Sequence, residues 1–269
     1  MKNNKFKNFN FILGTVLLGI VFIIALIGVI GTPFDTESMD SSLKNAGVSL
    51  RHLFGCDNFG RDIFSRVCVG VRNTFIIAFV TVLSGCFAGI FIGAFTGYFG
   101  GIIDEIVMRI NDVLFSFPSV LLALVIITLL GPGNTNIMIA LGISFIPSFA
   151  RMVRSEFIRN RELDYVKSAK LFGASDLRIM FVHIMPNVLP VLISSVLIGF
   201  NNAVLAEAGL SYLGIGVQPP EPSLGGMLSD AQSYIFSNPC HAVFPGLVII
   251  ILILGFSLIS DWYSKVITE

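Results

Sequence analysis

The chain is 269 residues long, 54% hydrophobic and only 13% charged, with 17 basic and 17 acidic side chains. Soluble domains carry about 25% charged residues, so a mean hydropathy of +0.85 points to a membrane protein. A net charge of zero argues against a nucleic-acid partner, and 25 phenylalanines suit surfaces that face lipid or pack helices.

In chain order, the first element is an uncharged apolar run over residues 9–30, preceded by Lys2, Lys5 and Lys7. Its length fits the roughly 20 residues needed to cross the hydrocarbon core. A signal peptide would have a shorter apolar region and a small-residue cleavage site, so an uncleaved anchor is expected. Residues 32–73 read as an extracytoplasmic loop with a short amphipathic helix over 61–72. Further spans are predicted at 74–96, 113–130, 137–152, 188–206 and 243–259. Gly and Pro interrupt several of them, which helix bundles tolerate. The expected fold is therefore an all-α membrane protein of about six transmembrane helices, with both termini on one side. It divides into an anchor and loop (1–73) and a five-helix core (74–269) carrying a polar loop over 153–187.

Orientation follows from Lys and Arg near the span ends. With the N-terminus inside, the inside segments hold twelve of the 17 basic residues and the outside segments five; the loop from Glu207 to His241 has none. The termini and the 153–187 loop are expected on the cytoplasmic side of the membrane.

That loop is the most informative stretch. Gly173 can end a short helix in the left-handed conformation, and Ser175 followed by Asp176 fits the start of another. On the first helix Tyr165, Val166, Ala169 and Phe172 fall at helical spacing and make one apolar face, while Lys167, Ser168 and Lys170 point elsewhere. An apolar helix face outside the membrane needs a partner.

Lys167-Ser168-Ala169, with Gly173 and Pro186 following, resembles the Glu-Ala-Ala, three residues, Gly pattern of the membrane subunits of bacterial ATP-binding-cassette importers. Lys here replaces the usual Glu, and Ser the first Ala. The stretch from Gly55 through Asp57, Gly60, Arg61 and Asp62 is similar to the Gly-Thr-Asp-x-x-Gly-Arg-Asp signature of the dipeptide, oligopeptide and nickel permeases. Residues 207–223 resemble the extracytoplasmic loop of the same branch, and the short extracytoplasmic loop after the first span is like that of its second-permease type. The resemblance implies a type I importer transmembrane domain. It implies a coupling helix seated in a cytoplasmic ATPase subunit through Tyr165, Val166, Lys167, Ala169, Phe172, Gly173 and Ala174. It also implies a second permease subunit forming a heterodimer, ATPase subunits, an extracytoplasmic substrate-binding protein, and a short peptide as cargo, with nickel or a metal chelate as the alternative.

The residues themselves offer no catalytic constellation. No phosphate-cradling Gly-x-x-x-x-Gly-Lys-Ser/Thr sequence is present, so ATP hydrolysis is expected in separate subunits and no cofactor is expected. His52, His183 and His241 lie far apart, and no shared metal site is expected of them; a site from His52 and His241 alone is the alternative to ordinary interfacial histidines. Cys56 and Cys240 both fall outside, at positions where the related proteins have Thr and an aromatic residue, and are open to a disulfide or to two free thiols. Glu207, at a span end, either bonds to neighbouring groups or faces the transport path. Glu105 and Arg109 can pair at i, i+4. Pro219, Pro220 and Pro222 stiffen the loop after Gly216. A stand-alone secondary carrier would place paired ionisable groups within its spans, which are nearly free of them, and a membrane-embedded enzyme would need a nucleophile with a base or a metal-ligand set.

Overall fold

A computed structural model describes the backbone of residues 2–268 and the side chains of 9–266. The helices are α1 (Lys2–Ile30), α2 (Ile63–Phe99), α3 (Gly101–Phe115), α4 (Ser119–Leu130), α5 (Asn134–Arg161), α6 (Asp164–Leu171), α7 (Asp176–Tyr212), α8 (Leu224–Ala231) and α9 (Cys240–Thr268). Among the described residues there is no strand beyond one isolated bridge, Cys56 to Asp62. Five helices are long and apolar enough to cross a membrane, and a sixth crossing exists if α3 and α4 count as one broken span.

The broken span corrects the sequence expectation. Residues 113–130 are not one helix: α3 and α4 meet at an 89° bend. Pro118 has no N–H to donate and disfavours helical backbone at Phe117, so the chain stops at Ser116 and restarts at Ser119. At 1.5 Å per residue the 12 residues of α4 reach only about 18 Å, short of the hydrocarbon core. A second correction concerns residues 61–72. They are not a separate amphipathic helix; from Ile63 onward they are the first turns of the 37-residue α2, capped by the Asp62 carboxylate accepting from the Ser65 N–H at 2.7 Å.

The long helices also run beyond their apolar centres. α5 continues to Arg161 and α7 starts at Asp176, so the polar segment between them shrinks to residues 162–175. Within α7 a π-helical turn, Ile179–Ile184, comes just before Pro186, whose missing N–H breaks the regular ladder.

Two ends of the bundle can be told apart by contacts. Asn10 donates to Asp261 at 3.0 Å and Phe11 stacks near Trp262, so α1 and α9 are antiparallel and both termini lie at one end. The Tyr98 hydroxyl donates to Asp176 at 2.6 Å, placing residues 162–175 at the end of α2 remote from Asp62. We name the two ends for Gly173 and Pro219.

The core is built around the pair α2 and α5. Gly85, Gly89, Gly93 and Gly97 recur every fourth residue along α2, and each lies against α5 backbone or Cβ atoms. A methyl on Gly89 would meet the Phe149 Cβ at 2.5 Å, and one on Gly97 the Phe157 Cβ at 2.7 Å. Small residues at this spacing let two backbones close up where no water drives association, so dispersion contacts carry the packing. Phe145, Phe149, Val153 and Phe157 of α5 fill the space beside the glycines.

Candidate functional site

At the Gly173 end the loop is a short helix with a firm base and a bare tip. α6 ends in a Schellman motif: the Gly173 N–H donates to the Lys170 carbonyl and the Ala174 N–H to the Ala169 carbonyl, both at 3.1 Å. That geometry needs a left-handed residue, and Gly173 sits at φ +78°. The N-cap expected of Ser175 is present in position only. Its hydroxyl makes no capping bond, and its carbonyl accepts from the Ile179 N–H at 2.9 Å.

The base is tied to three long helices. Arg161 Nη1 donates to the Gly97 and Tyr98 carbonyls at 3.2 and 3.3 Å, closing the C-terminal end of α2. The Tyr165 hydroxyl donates to Asn160 Oδ1 at 3.0 Å and accepts from Asn187 Nδ2 at 3.1 Å, joining α5 to α7. Displacement of this loop therefore pulls directly on α5 and α7, and on α2 through Arg161 at the end of α5.

The apolar face expected on α6 is split. Val166 is 3% exposed, and Ala169 and Ala174 are half-buried against the core, so these side chains hold the loop to the bundle. Phe172, expected on the same face, instead points outward at 91% exposure beside Leu171 at 87%. The reason is the helix end: Phe172 is the C-cap, where the chain leaves helical geometry and the spacing rule no longer applies. Leu171 and, on the first turn of α7, the exposed Leu177 complete the tip. Sequence reading misses both, although bulky aliphatic side chains beside a glycine in a polar loop are a usable signal. Lys167, exposed, lies 3.7 Å from Asp164. Beneath it a polar cavity of about 300 Å³ is lined by Tyr98, Arg161, Glu162, Val166, Lys167 and Lys170. Arg109 lies 3.9 Å from Glu105 with both side chains largely exposed, a surface pair of little energetic weight.

At the Pro219 end the signature residues build a cap. Gly55 and Gly60 have φ of +78° and +79°, and a side chain at Gly60 would collide with the Asp40 carbonyl. Asp57, fully buried, accepts through Oδ1 from the Phe59 and Arg61 N–H groups at 2.8 and 2.9 Å, and through Oδ2 from Arg61 Nε at 2.6 Å. Asp62 caps α2 and also meets His52 Nδ1 at 2.9 Å. Arg66 Nη1 donates to the Thr36 carbonyl and Asn238 Nδ2 to the Cys56 carbonyl, at 2.9 and 2.8 Å. Breaking a buried ion pair such as Asp57–Arg61 by removing one partner costs about 3–5 kcal/mol. The signature thus organises the fold of residues 32–62 over α2 and α9.

Glu207 is fully buried, and its carboxylate accepts from Thr74 Oγ1 at 2.7 Å and Ser211 Oγ at 2.8 Å. One oxygen joins α7 to α2 and the other bonds within α7. Pro222 accepts from Asn73 Nδ2 at 2.9 Å, which pins the proline loop to α2.

Cys56 and Cys240 are free thiols, not a disulfide. Cys56 is fully buried beneath the cap, while Cys240 opens the first turn of α9 and is partly exposed. Burial, and then the nearby carboxylates of Asp62, Asp57 and Asp40, push the Cys56 thiol up to about 11. At pH 8 only roughly one such thiol in a thousand would be ionised. Iodoacetamide is therefore expected to modify Cys240 alone in the folded protein at pH 8, with Cys56 reacting after denaturation in dodecyl sulfate. Mass spectrometry reads the count, and equal labelling of Cys56 and Cys240 before denaturation would show that the cap is open.

Comparison with known proteins gives this geometry its context. Residues 89–268 match the family described as binding-protein-dependent transport system inner membrane component. The dipeptide transport system permease protein DppC of Alkalihalophilus pseudofirmus is 39% identical over 261 residues, covering 97% of this chain and 84% of that protein. The glutathione transport system permease protein GsiD of Salmonella typhimurium is 42% identical over 231 residues, covering 86% of this chain and 76% of that protein. An inward-facing structure of the MetNI methionine ABC transporter shares the fold at a TM-score of 0.62 and 20% identity, over 76% of this chain and 97% of that one. The chain belongs to the family of inner-membrane components of binding-protein-dependent transport systems and is a multi-pass membrane permease subunit.

Proposed function

We propose that this chain is the second permease of an ATP-driven importer of short peptides, forming half of the translocation path beside a different permease subunit. The observation that carries this reading is the exposed tip Leu171–Phe172, mounted on a loop bonded to α5 and α7 and, through Arg161 at the end of α5, linked to α2. Two large apolar side chains presented to water are a docking surface, and the bonds behind them are a mechanical path into the bundle. Cytoplasmic ATPase subunits would seat α6. Their closure on nucleotide would shift the loop, and α2, α5 and α7 would carry the shift to the path, giving alternating access. The Lys and Arg distribution supports placing both termini and the Gly173 loop in the cytoplasm and the cap on the outer side, where a substrate-delivering protein would meet it. A peptide cargo is supported by relatives named for dipeptide and glutathione transport. The test is co-expression with a second permease and ATPase genes of the same operon, followed by purification on a tag carried by this chain. A complex that hydrolyses ATP is expected. Recovery of the chain alone as a stable species would instead favour a stand-alone carrier.

A further inference from the structure

Between α5 and α7 lies a cavity of about 200 Å³ lined by Ser148, Met152, Ser195 and Asn202 together with the rings of Phe145 and Phe149. Ser148 sits at the middle of α5 and Ser195 at the middle of α7, with Asn202 two turns further toward the Pro219 end. Ser148 and Asn202 are exposed on the surface of the chain and Ser195 is half-exposed. Their side chains form no hydrogen bond among the described residues. Other in-span hydroxyls divide: Thr96 donates to the Ile92 carbonyl at 2.7 Å, Ser144 to Ala140 at 2.7 Å and Ser194 to Pro190 at 3.4 Å, whereas Thr81 and the exposed Ser257 are unbonded; what sets the notch apart is that three unbonded polar groups line one cavity. A polar group that satisfies itself on its own helix can face lipid; one that does not is costly there and belongs against water or another polar group. The faces that do suit lipid are apolar, as with Phe87, Phe91 and Phe95 on α2.

On the importer reading proposed above, we infer that this notch is one wall of the cargo path and that Ser148, Ser195 and Asn202 hydrogen-bond the backbone amides of a passing peptide. The notch offers two hydroxyls, a carboxamide and a thioether, and no charge. Such a wall recognises groups that every peptide shares, N–H and C=O, and is indifferent to the charge of the cargo side chains. The carboxamide both donates and accepts, so Asn202 can pair with an amide in either direction. The Phe and Met side chains supply an apolar floor that tolerates varied side chains.

The test uses the intact complex in proteoliposomes, in a Cys240→Ser background. Ser148→Cys, Ser195→Cys and Asn202→Cys are each exposed to a membrane-impermeant maleimide during ATP turnover, with Phe87→Cys as the lipid-facing control. The notch positions are expected to label and the control to stay unlabelled, and saturating dipeptide with its binding protein is expected to slow notch labelling. In uptake, Asn202→Leu is expected to lose about fivefold or more, one neutral hydrogen bond's worth, while Asn202→Gln retains transport. Notch cysteines as inert as the control, or uptake unchanged in Asn202→Leu, would overturn the proposal. A dry contact with the second permease would show itself as inert cysteines that cross-link to that subunit, and would overturn it equally. Failure of the wild-type complex to take up dipeptide would remove the importer reading and the cargo role with it, and the labelling would still decide whether the notch is lined by water.

Discussion

Gly93→Leu is expected to prevent the bundle from forming. A Cβ at this position would lie 2.8 Å from both the Arg154 nitrogen and the Val153 Cβ and closer still to the Ala150 carbonyl, so it meets the main chain of α5. Backbone cannot rotate away as the end of a long side chain can. α2 and α5 would have to separate along much of their length, and the side chains of Phe145, Phe149 and Phe157 would lose their facing surface. Even the single methyl of Gly93→Ala overpacks the seam, at a cost of about 1–3 kcal/mol. A Cβ added at Gly19 on α1 would meet nothing within 4 Å, and Gly19→Ala is expected to be neutral within roughly 0.5 kcal/mol. Thermal melting and gel filtration in detergent check the order: wild type and Gly19→Ala alike, Gly93→Ala lower, Gly93→Leu aggregated. A monodisperse Gly93→Leu protein melting with the wild type would show that α2 and α5 are not packed this closely.

The second large effect is expected from Leu171→Ser with Phe172→Ser. Both side chains are almost wholly exposed, so removing them costs the isolated chain little stability. In a docked complex the same pair would be buried, and central aromatic or aliphatic anchors of this kind cost about 2 kcal/mol or more each when truncated. Retention of the ATPase subunits on a tagged permease is therefore expected to fall by about 30-fold or more for a single anchor of that size. Val166→Ser is the contrasting variant. Val166 is 3% exposed and holds α6 against the bundle, so its loss should lower the melting temperature as well as binding. ATPase retention unchanged in the double serine variant would mean that the tip is not the docking surface.

The helical membrane fold is legible because uncharged apolar runs of about 20 residues match the thickness of the hydrocarbon core. The Gly173 loop is legible on a separate ground: a helix stop, a helix start and apolar residues in a charged segment do not suit a passive connection. What escapes reading is also instructive. The stop at Ser116–Pro118 is hidden because apolarity continues on both sides of it, and hydropathy averages across a proline. Helical spacing misplaces Phe172 because it extends one residue past the last true helical turn. The stripe Gly85, Gly89, Gly93, Gly97 is visible as a four-residue period but carries no hydropathy signal. The Asp57–Arg61 and Glu207–Thr74–Ser211 bonds cannot be read at all, since each depends on where a carboxylate is buried. The unpaired hydroxyls of the notch likewise become distinguishable from self-bonded ones only in three dimensions.

The most direct measurement is uptake itself. The permease pair, the ATPase subunits and the binding protein are reconstituted into proteoliposomes with ATP inside, and a labelled dipeptide is added outside with the binding protein. Accumulation above the external concentration is expected, dependent on ATP and on the binding protein, and lost in Leu171→Ser with Phe172→Ser. Uptake that is indifferent to ATP, or that this chain supports without its partners, would contradict the account.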